Sequence, residues 1–251
     1  MTPRPCPARL RPECQRAAAV VCALFLFSVV DRSFAATYPH EVVLSGGTET
    51  SDKVSGYRGT AFTLSVDDDS QGMLGISSAE RSDNPCWLWI GTESVNDPAR
   101  NTGTTKDLCG NKATSSTMKA EYRDDMYFGQ RVFVSGVRIC TNNKETRVKG
   151  FQLRGKQILD DASLTALAYP ESLHVVYSLG GGTWDVNHRA DYADDAKAPA
   201  DFRNNCHVWH EWAECPGADQ IAVGVVAHFE AGKEPRSLTG VALRCRSVAP
   251  R

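Results

Sequence analysis

Tryptophan is the residue type in this sequence best suited to bind a ligand without a cofactor. An indole face can stack on the apolar face of a sugar ring, while the indole N–H needs a partner when it is buried. Packing in a core is the alternative role for any one tryptophan. Four of the five directly follow a cysteine or lie within six residues of one. The candidate glycan contacts are Trp87, Trp89, Trp184, Trp209 and Trp212.

Two of these tryptophans lie in the segment 206–212, which has the composition of a strand. Successive side chains of a strand point to opposite faces, so Trp209 would share a face with Glu211 and Trp212 would share the other with His210. The spacing therefore predicts one tryptophan in the core and one exposed.

Some histidines and aspartates could be metal ligands, but their spacing is weaker evidence for a site than the tryptophans are. His207 and His210 would diverge on a strand, which argues against a zinc site with Glu211 or the later His228. The run Asp67-Asp68-Asp69 lacks the spacing and closing glutamate of an EF-hand, and is typical of a solvated turn. We predict no metal and no other cofactor.

The sequence also contains no complete catalytic motif from which an enzymatic activity could be assigned. Acidic doublets could supply the carboxylate pair of a glycosidase, but such a pair needs a set separation and one raised pKa, which sequence does not show. The chain also has no Gly-x-Ser-x-Gly nucleophile motif. No catalytic residue is predicted. The doublets are Asp124-Asp125, Asp160-Asp161 and Asp194-Asp195.

Residues 1–35 have the pattern of a secretory signal peptide. Four arginines between positions 4 and 16 precede an apolar stretch of 14 residues, 17–30, which is too short for an ordinary membrane span of about 20 residues. Ser33 and Ala35 then provide the small residues of a cleavage site. We expect cleavage after Ala35, a secreted protein (extracellular or periplasmic), and no membrane insertion.

Cleavage would also change the charge. The segment removed has five arginines against Glu13 and Asp31, so the net charge would change from −2 to −5. A mildly acidic protein has no general attraction for nucleic acid or for anionic membranes. Neither is an expected partner.

Six cysteines remain after position 35, and an even number in a secreted chain predicts three disulfides, for which 15 pairings exist. No two of them have the C-x-x-C spacing of a metal cluster. They are Cys86, Cys109, Cys140, Cys206, Cys215 and Cys245.

The elements that must position these residues are strands. Apolar and polar residues alternate with a period of two, for example around positions 62–66, 173–179, 221–227 and 241–245, and Gly, Asn, Asp and Ser clusters separate the runs. The expected fold is all-β and antiparallel, β-prism-like or sandwich-like.

The chain also contains an internal duplication. Gly136-Val137, a polar turn and the segment 150–154 are echoed by Gly224-Val225, a similar turn and the segment 240–244, each typical of a β-hairpin. Cys86-x-x-Trp89 is likewise echoed by Cys206-x-x-Trp209. The repeat predicts two related lobes, 36–156 with an insertion at about 90–121, and 169–251, joined by a connector at 157–168.

The duplication favours one disulfide. Aligning the copies places Cys215 opposite Tyr127 and Cys245 opposite Gly155, so both cysteines are absent together from the first copy. A bond between them would join the two ends of the last hairpin. The pairing of the other four cysteines remains open: it is either Cys109–Cys140 with Cys86–Cys206, or Cys86–Cys109 with Cys140–Cys206.

About 40 C-terminal residues resemble one repeat of the vitelline membrane outer layer protein family. The resemblance rests on Trp209-x-x-Trp212-x-x-Cys215-Pro216, the alternating residues that follow, and the final strand 238–245. In that family such a unit recurs three times in a β-prism. The resemblance implies an extracellular protein with a β-prism-like fold, an interaction with glycans and the Cys215–Cys245 bond.

These patterns together favour a secreted, non-catalytic recognition module whose partner is an extracellular glycan. A secreted hydrolase acting on polysaccharide is the first alternative. A structural or inhibitory protein that binds a surface protein through the same loops is the second.

Overall fold

Strands are the only regular elements in the part of the chain that the structure describes. The computed structural model covers residues 40–66, 69–97, 101–110, 116–122, 131–159, 163–166, 177–179, 182–184 and 200–251, all within the unit Ala36–Arg251. The predicted signal peptide, 1–35, lies outside these residues. The expectation of an all-β fold is confirmed.

Seventeen strands follow one another along these residues. They are β1 (Val42–Thr50), β2 (Ser55–Gly56), β3 (Thr60–Ser65), β4 (Gln71–Arg81), β5 (Asn84–Ser94), β6 (Asn101–Asp107), β7 (Ser116–Glu121), β8 (Val132–Thr141), β9 (Val148–Ile158), β10 (Leu164–Ala166), β11 (Tyr177–Leu179), β12 (Gly182–Trp184), β13 (Ala200–Phe202), β14 (Val208–Trp209), β15 (Ala213–Glu214), β16 (Gln220–Phe229) and β17 (Leu238–Pro250).

Within the described ranges, three antiparallel sheets form the body of a β-prism-like fold. Sheet A has the order β1-β17-β16-β3, with β2 also paired to β17. Sheet B has the order β6-β5-β4-β7. Sheet C has the order β10-β9-β8-β14, with β13 also on β9 and β15 also on β8. A small pair, β11 and β12, completes the described strands.

A long hairpin forms the centre of each sheet, and the three hairpins share the same irregularities. In β4–β5, β8–β9 and β16–β17 the pairing register shifts once directly before a glycine and again four or five residues later. The glycines are Gly75, Gly136 and Gly224. The sequence duplication thus corresponds to two of three equivalent hairpins.

Two of these glycines have a packing reason. A Cβ on Gly75 would lie closer than 3.0 Å to the β7 backbone at Ala120 and Glu121, and one on Gly224 would lie as close to the β3 backbone at Leu64 and Ser65. Real Cβ atoms do not approach other atoms so closely. Glycine therefore lets a flanking strand join each hairpin immediately beyond its bulge.

One hydrophobic core takes the inner faces of all three sheets. Ile76 and Leu88 enter it from sheet B, Val137 and Phe151 from sheet C, and Val225 from sheet A, and all five are fully buried. At or before the first bulge of each hairpin the alternate residues are buried as well: Leu74, Phe133 and Ile221 belong to a second, smaller apolar cluster.

The strands are not grouped by the predicted lobes. Sheet A joins β1–β3, from the first predicted lobe (36–156), to β16 and β17 from the second (169–251). The predicted insertion at about 90–121 contains the end of β5 and all of β6 and β7, which are the outer strands of sheet B.

The cysteines form three disulfides. Cys86–Cys109 and Cys140–Cys206 are present, which is one of the two arrangements that the sequence left open. Cys215 is bonded to Cys245, with 5.6 Å between their Cα atoms, and this is the pair that the duplication favoured.

The geometric reason expected for the Cys215–Cys245 bond was wrong. Cys245 lies opposite Ala222 and Glu49 in sheet A, whereas Cys215 follows β15 and donates its backbone N–H to the carbonyl of Ser135 in sheet C. The bond therefore links two sheets and does not close the ends of one hairpin.

A buried lysine links sheets B and C. Lys149, at the second bulge of β9, has a side chain with no exposed area. Its ammonium donates to the Glu80 carboxylate at 2.7 Å, the Asp83 carboxylate at 2.6 Å and the Asp83 carbonyl at 3.0 Å. All three ammonium protons are thus satisfied, as a buried charge requires.

We predict that Lys149→Met lowers the free energy of unfolding by about 3–5 kcal/mol, because it leaves Glu80 buried without its ammonium partner. Urea denaturation measures the loss. Lys53→Met is the matched control, since Lys53 and Glu211 form another lysine–glutamate pair at 2.6 Å, but in solvent. Its loss should be small. Equal losses for the two variants would contradict the prediction.

Candidate functional site

Two of the predicted tryptophans lie side by side on the outer face of sheet B. Along β5, Leu88 and Ile90 point into the core, so Trp87 and Trp89, which alternate with them, point outward. Both indoles are half-buried.

Their cross-strand neighbours are small or polar. Trp89 lies between Ser77 on β4 and Thr105 on β6. Trp87 lies in the same way between Ala79 and Asp107. Thr105 and Asp107 are exposed, so hydroxyl and carboxylate groups border the two indoles on the β6 side.

The Trp89 ring lies along the sheet on a bed of two glycines. A Cβ on Gly91 would come within 3.0 Å of the six-membered ring, at Cη2, and a Cβ on Gly103 would come within 3.0 Å of Nε1 and Cε2. The indole therefore occupies the space that these two side chains would fill. The Lys119 ammonium lies over a ring of the same indole. We call Trp87, Trp89, Gly91 and Gly103 the aromatic platform.

Lys119 lies at one side of the aromatic platform. Its ammonium is 5.6 Å from the centre of a Trp89 ring and forms an ion pair with Glu121. Its backbone N–H donates to the Asp201 carboxylate at 2.7 Å, which fixes β7 at this place. Half of the Lys119 side chain is exposed, so a hydrogen-bond donor stands beside the indole.

The other tryptophan pair stacks with arginines on the outer face of sheet C. The Arg138 guanidinium lies 5.2 Å from a Trp209 ring and 5.0 Å from a Trp212 ring, and that of Arg154 lies 4.1 Å from a Trp212 ring. Phe202 contacts Trp209 edge to face at 5.7 Å. We call Arg138, Arg154, Trp209 and Trp212 the Trp–Arg ladder.

The prediction that Trp209 and Trp212 point to opposite faces was wrong, since both contact Arg138. The physical reason is that the segment 206–212 is not one strand. β14 ends at Trp209 and β15 begins at Ala213, and the chain between them leaves the regular alternation.

A cavity of about 490 Å³ opens beside the ladder. We call it the Trp212 groove. One wall is the loop with Asp52 and Lys53, and the other runs from Glu211 to Pro216. Its lining residues are Asp52, Lys53, Glu211, Trp212, Glu214, Cys215 and Pro216.

Lys53 and Glu211 join the two walls through an exposed ion pair of 2.6 Å. The hydrogen bond and charge of Lys53 lower the pKa of Glu211 below its ordinary value, and Glu211 in turn raises the pKa of Lys53. Both groups therefore remain charged at neutral pH. A glycosidase acid needs the opposite shift of its carboxyl pKa.

The three histidines considered as metal ligands lie in different environments. His207 is exposed, whereas His210 is half-buried, with Nε2 2.8 Å from the Thr141 hydroxyl and its ring against Tyr57. His228 is in sheet A, next to Gly59. The described residues contain no group of three or more His, Cys, Asp or Glu side chains arranged to hold a metal.

Other candidate residues are placed only in part. Trp184 ends β12, but its side chain is not among those described. Asp69 forms an exposed ion pair with Arg246. The remaining candidates lie outside the described residues: Asp67, Asp68, Asp124, Asp125, Asp160, Asp161, Asp194 and Asp195.

Sequence reasoning missed the residues that orient the tryptophans. Gly91 follows Trp89 at a spacing of two, which could have indicated a bare patch on the same strand face. Gly103, Lys119 and Arg138 gave no such signal, because their relation to the indoles depends on strand pairing.

The solved structures that are similar to this chain include two lectins with remote similarity. No family model matches the chain, and no curated protein matches it. The crystal structure of Calystegia sepium agglutinin is similar at 8% identity and a TM-score of 0.39, over 83% of this chain and 97% of that one. Calsepa lectin in complex with a bisected glycan is similar at 8% identity and a TM-score of 0.38, over 82% and 96%. No helix able to cross a membrane occurs in the described ranges.

We predict that acidification from pH 7.5 to 5 destabilises the fold through His210 and His228. Burial lowers the pKa of both below the ordinary 6.5. The unfolded chain then binds protons more readily, so stability falls as the pH drops below 6.5 and levels off below the folded pKa.

Urea denaturation across this pH range tests the prediction. A His210→Gln/His228→Gln variant should show a flatter dependence of unfolding free energy on pH. His207→Gln, at an exposed position, should keep the parent's dependence. An unchanged slope in the double variant would refute the role of the two buried rings.

Proposed function

We propose that this protein is a secreted, non-catalytic carbohydrate-binding protein, and that the aromatic platform of sheet B is its binding surface. The observation that carries the proposal is the position of Trp89. Its half-buried indole rests on Gly91 and Gly103 on the outer side of sheet B, with the Lys119 ammonium over one ring. A flat indole face is the surface on which the C–H groups of a sugar ring stack.

Polar groups around the platform suit the hydroxyls of such a sugar. Thr105 can donate or accept, Asp107 accepts, and the Lys119 ammonium donates. An apolar face with a few polar groups at its border is the usual composition of a small-ligand site.

The platform is also preorganised. The glycine bed and the paired strands β4, β5 and β6 hold Trp89 in place before any ligand arrives. Little side-chain freedom is then lost on binding, which favours affinity. The ladder is more tightly covered, because the Arg154 guanidinium lies 4.1 Å from the centre of a Trp212 ring, whereas the Lys119 ammonium is 5.6 Å from the centre of a Trp89 ring.

Two observations favour binding over hydrolysis and favour an oxidising compartment. The lowered pKa of Glu211 keeps that groove carboxylate ionised, which suits a hydrogen-bond acceptor and not a general acid. Three disulfides suit a protein outside the reducing cytosol, in accord with the signal-like residues 1–35.

We predict that a glycan array identifies ligands of the oxidised protein and that Trp89→Ala weakens them. Loss of the stacking face should raise Kd about tenfold or more, which corresponds to about 1.4 kcal/mol. Gly91→Ala should act similarly, because the new Cβ meets only the Trp89 ring and must displace it.

Gly47→Ala is the matched control, since a Cβ there meets nothing within 4 Å and Kd should not change. Calorimetric titration with the strongest array ligand gives the three Kd values. Parent-like affinity in both Trp89→Ala and Gly91→Ala would exclude the platform as the site.

A further inference from the structure

The Trp212 groove has the features of a binding site and is separate from the aromatic platform. Its volume of about 490 Å³ lies within the range of small-ligand pockets. It is bordered by sheets A and C, whereas the platform is on the outer face of sheet B. The two surfaces share no residue.

Both walls of the groove are fixed to the same strand. Beside Asp52, Ser51 donates its N–H to the Leu243 carbonyl at 2.9 Å, and its hydroxyl accepts from the Leu243 N–H at 3.0 Å. The opposite wall is tied by the Cys215–Cys245 disulfide, two residues further along β17. The separation of the walls is therefore set by β17.

Side-chain contacts also hold the groove wall that contains Trp212. The Arg154 guanidinium stacks on Trp212 and donates to Glu214 at 2.7 Å. The second guanidinium near this indole, that of Arg138, donates to Gln152 at 2.7 Å. Trp212 and Glu214 thus form a rigid apolar and acidic wall.

The polar groups of the groove suit neutral sugars. Three carboxylates accept hydrogen bonds and one ammonium donates, and adjacent sugar hydroxyls do both. The exposed Lys53–Glu211 pair contributes little energy, so hydroxyls can replace it at low cost. Three carboxylates are balanced by Lys53 and by the guanidinium groups of Arg138 and Arg154 on Trp212, so the groove has no excess charge to attract an ionic sugar.

We propose that the Trp212 groove is a second carbohydrate site, for neutral sugars, and that a single chain therefore cross-links glycans. The inference rests on the proposed function of the platform. The two sites lie on different sheets and share no residue. Two polysaccharide chains can therefore each occupy one site.

The test compares the parent with a platform variant, Trp89→Ala, and a groove variant, Asp52→Asn/Glu211→Gln. Both groove residues are exposed, so the fold should persist. Soluble galactomannan, xyloglucan and mannan are the neutral probes, and heparin is the anionic control. Turbidity reports cross-linking, and affinity electrophoresis in the same polysaccharides reports binding.

The expected result is that the parent precipitates at least one neutral polysaccharide and not heparin, while each variant still binds it but no longer precipitates it. Precipitation by the groove variant at the parent's level would overturn the inference. If Trp89→Ala abolishes all binding and the groove variant behaves as the parent, the proposed function stands and the second site fails. If the groove variant alone abolishes binding, the platform and the cross-linking both fail.

Discussion

Apolar residues from all three sheets meet in one main core, and a second, smaller cluster buries residues of the opposite faces near the starts of β4, β8 and β16. Fully buried residues from β4 and β5, β8 and β9, and β16 and β17 meet in this core. Burial of apolar surface at about 25 cal/mol per Å² makes this closure the dominant favourable contribution to folding. The inner faces are thereby committed to stability. The outer faces and the edges where sheets meet are the surfaces left for the proposed recognition.

The repeated register of the hairpins explains why the outer faces differ in chemistry. The residue opposite the bulge glycine is Gly91 in sheet B, Arg154 in sheet C and Arg244 in sheet A. At this equivalent position, glycine leaves room for Trp89 to lie flat on the sheet. Arginine instead stacks on Trp212 and holds it in the ladder. At this one position, therefore, the residue is a glycine beneath an indole in sheet B and an arginine stacked on an indole in sheet C.

Much of the fold could be predicted from the sequence, because strand alternation and paired cysteines are local or repeated signals. The hairpins at Gly136 and Gly224 were visible through their shared polar turns. The third, at Gly75, was not, because its strands are joined only by the two-residue turn Ser82–Asp83, both residues with positive φ. A turn of this length leaves too few residues for the duplication to show.

The candidate site could be predicted only as residue types. Tryptophan marked the candidate residues, but the surroundings of each indole depend on Gly103 lying across a strand pair from Gly91, and on Arg138 lying near two tryptophans. These contacts between strands depend on the pairing register. A sequence pattern does not determine the register when it is not known which strands pair. The opposite-face prediction for Trp209 and Trp212 failed for a related reason, since alternation holds only while a strand continues.

The Cys215–Cys245 bond connects stability with the groove. β15 has only two residues, so few hydrogen bonds hold the chain that follows it to sheet C. The disulfide attaches that chain to β17, the strand that also anchors the opposite wall through Ser51. The position equivalent to Cys245 is Gly155 in sheet C and Thr92 in sheet B. The covalent tie is therefore specific to the hairpin that borders the groove, where a short strand alone would leave one wall weakly held.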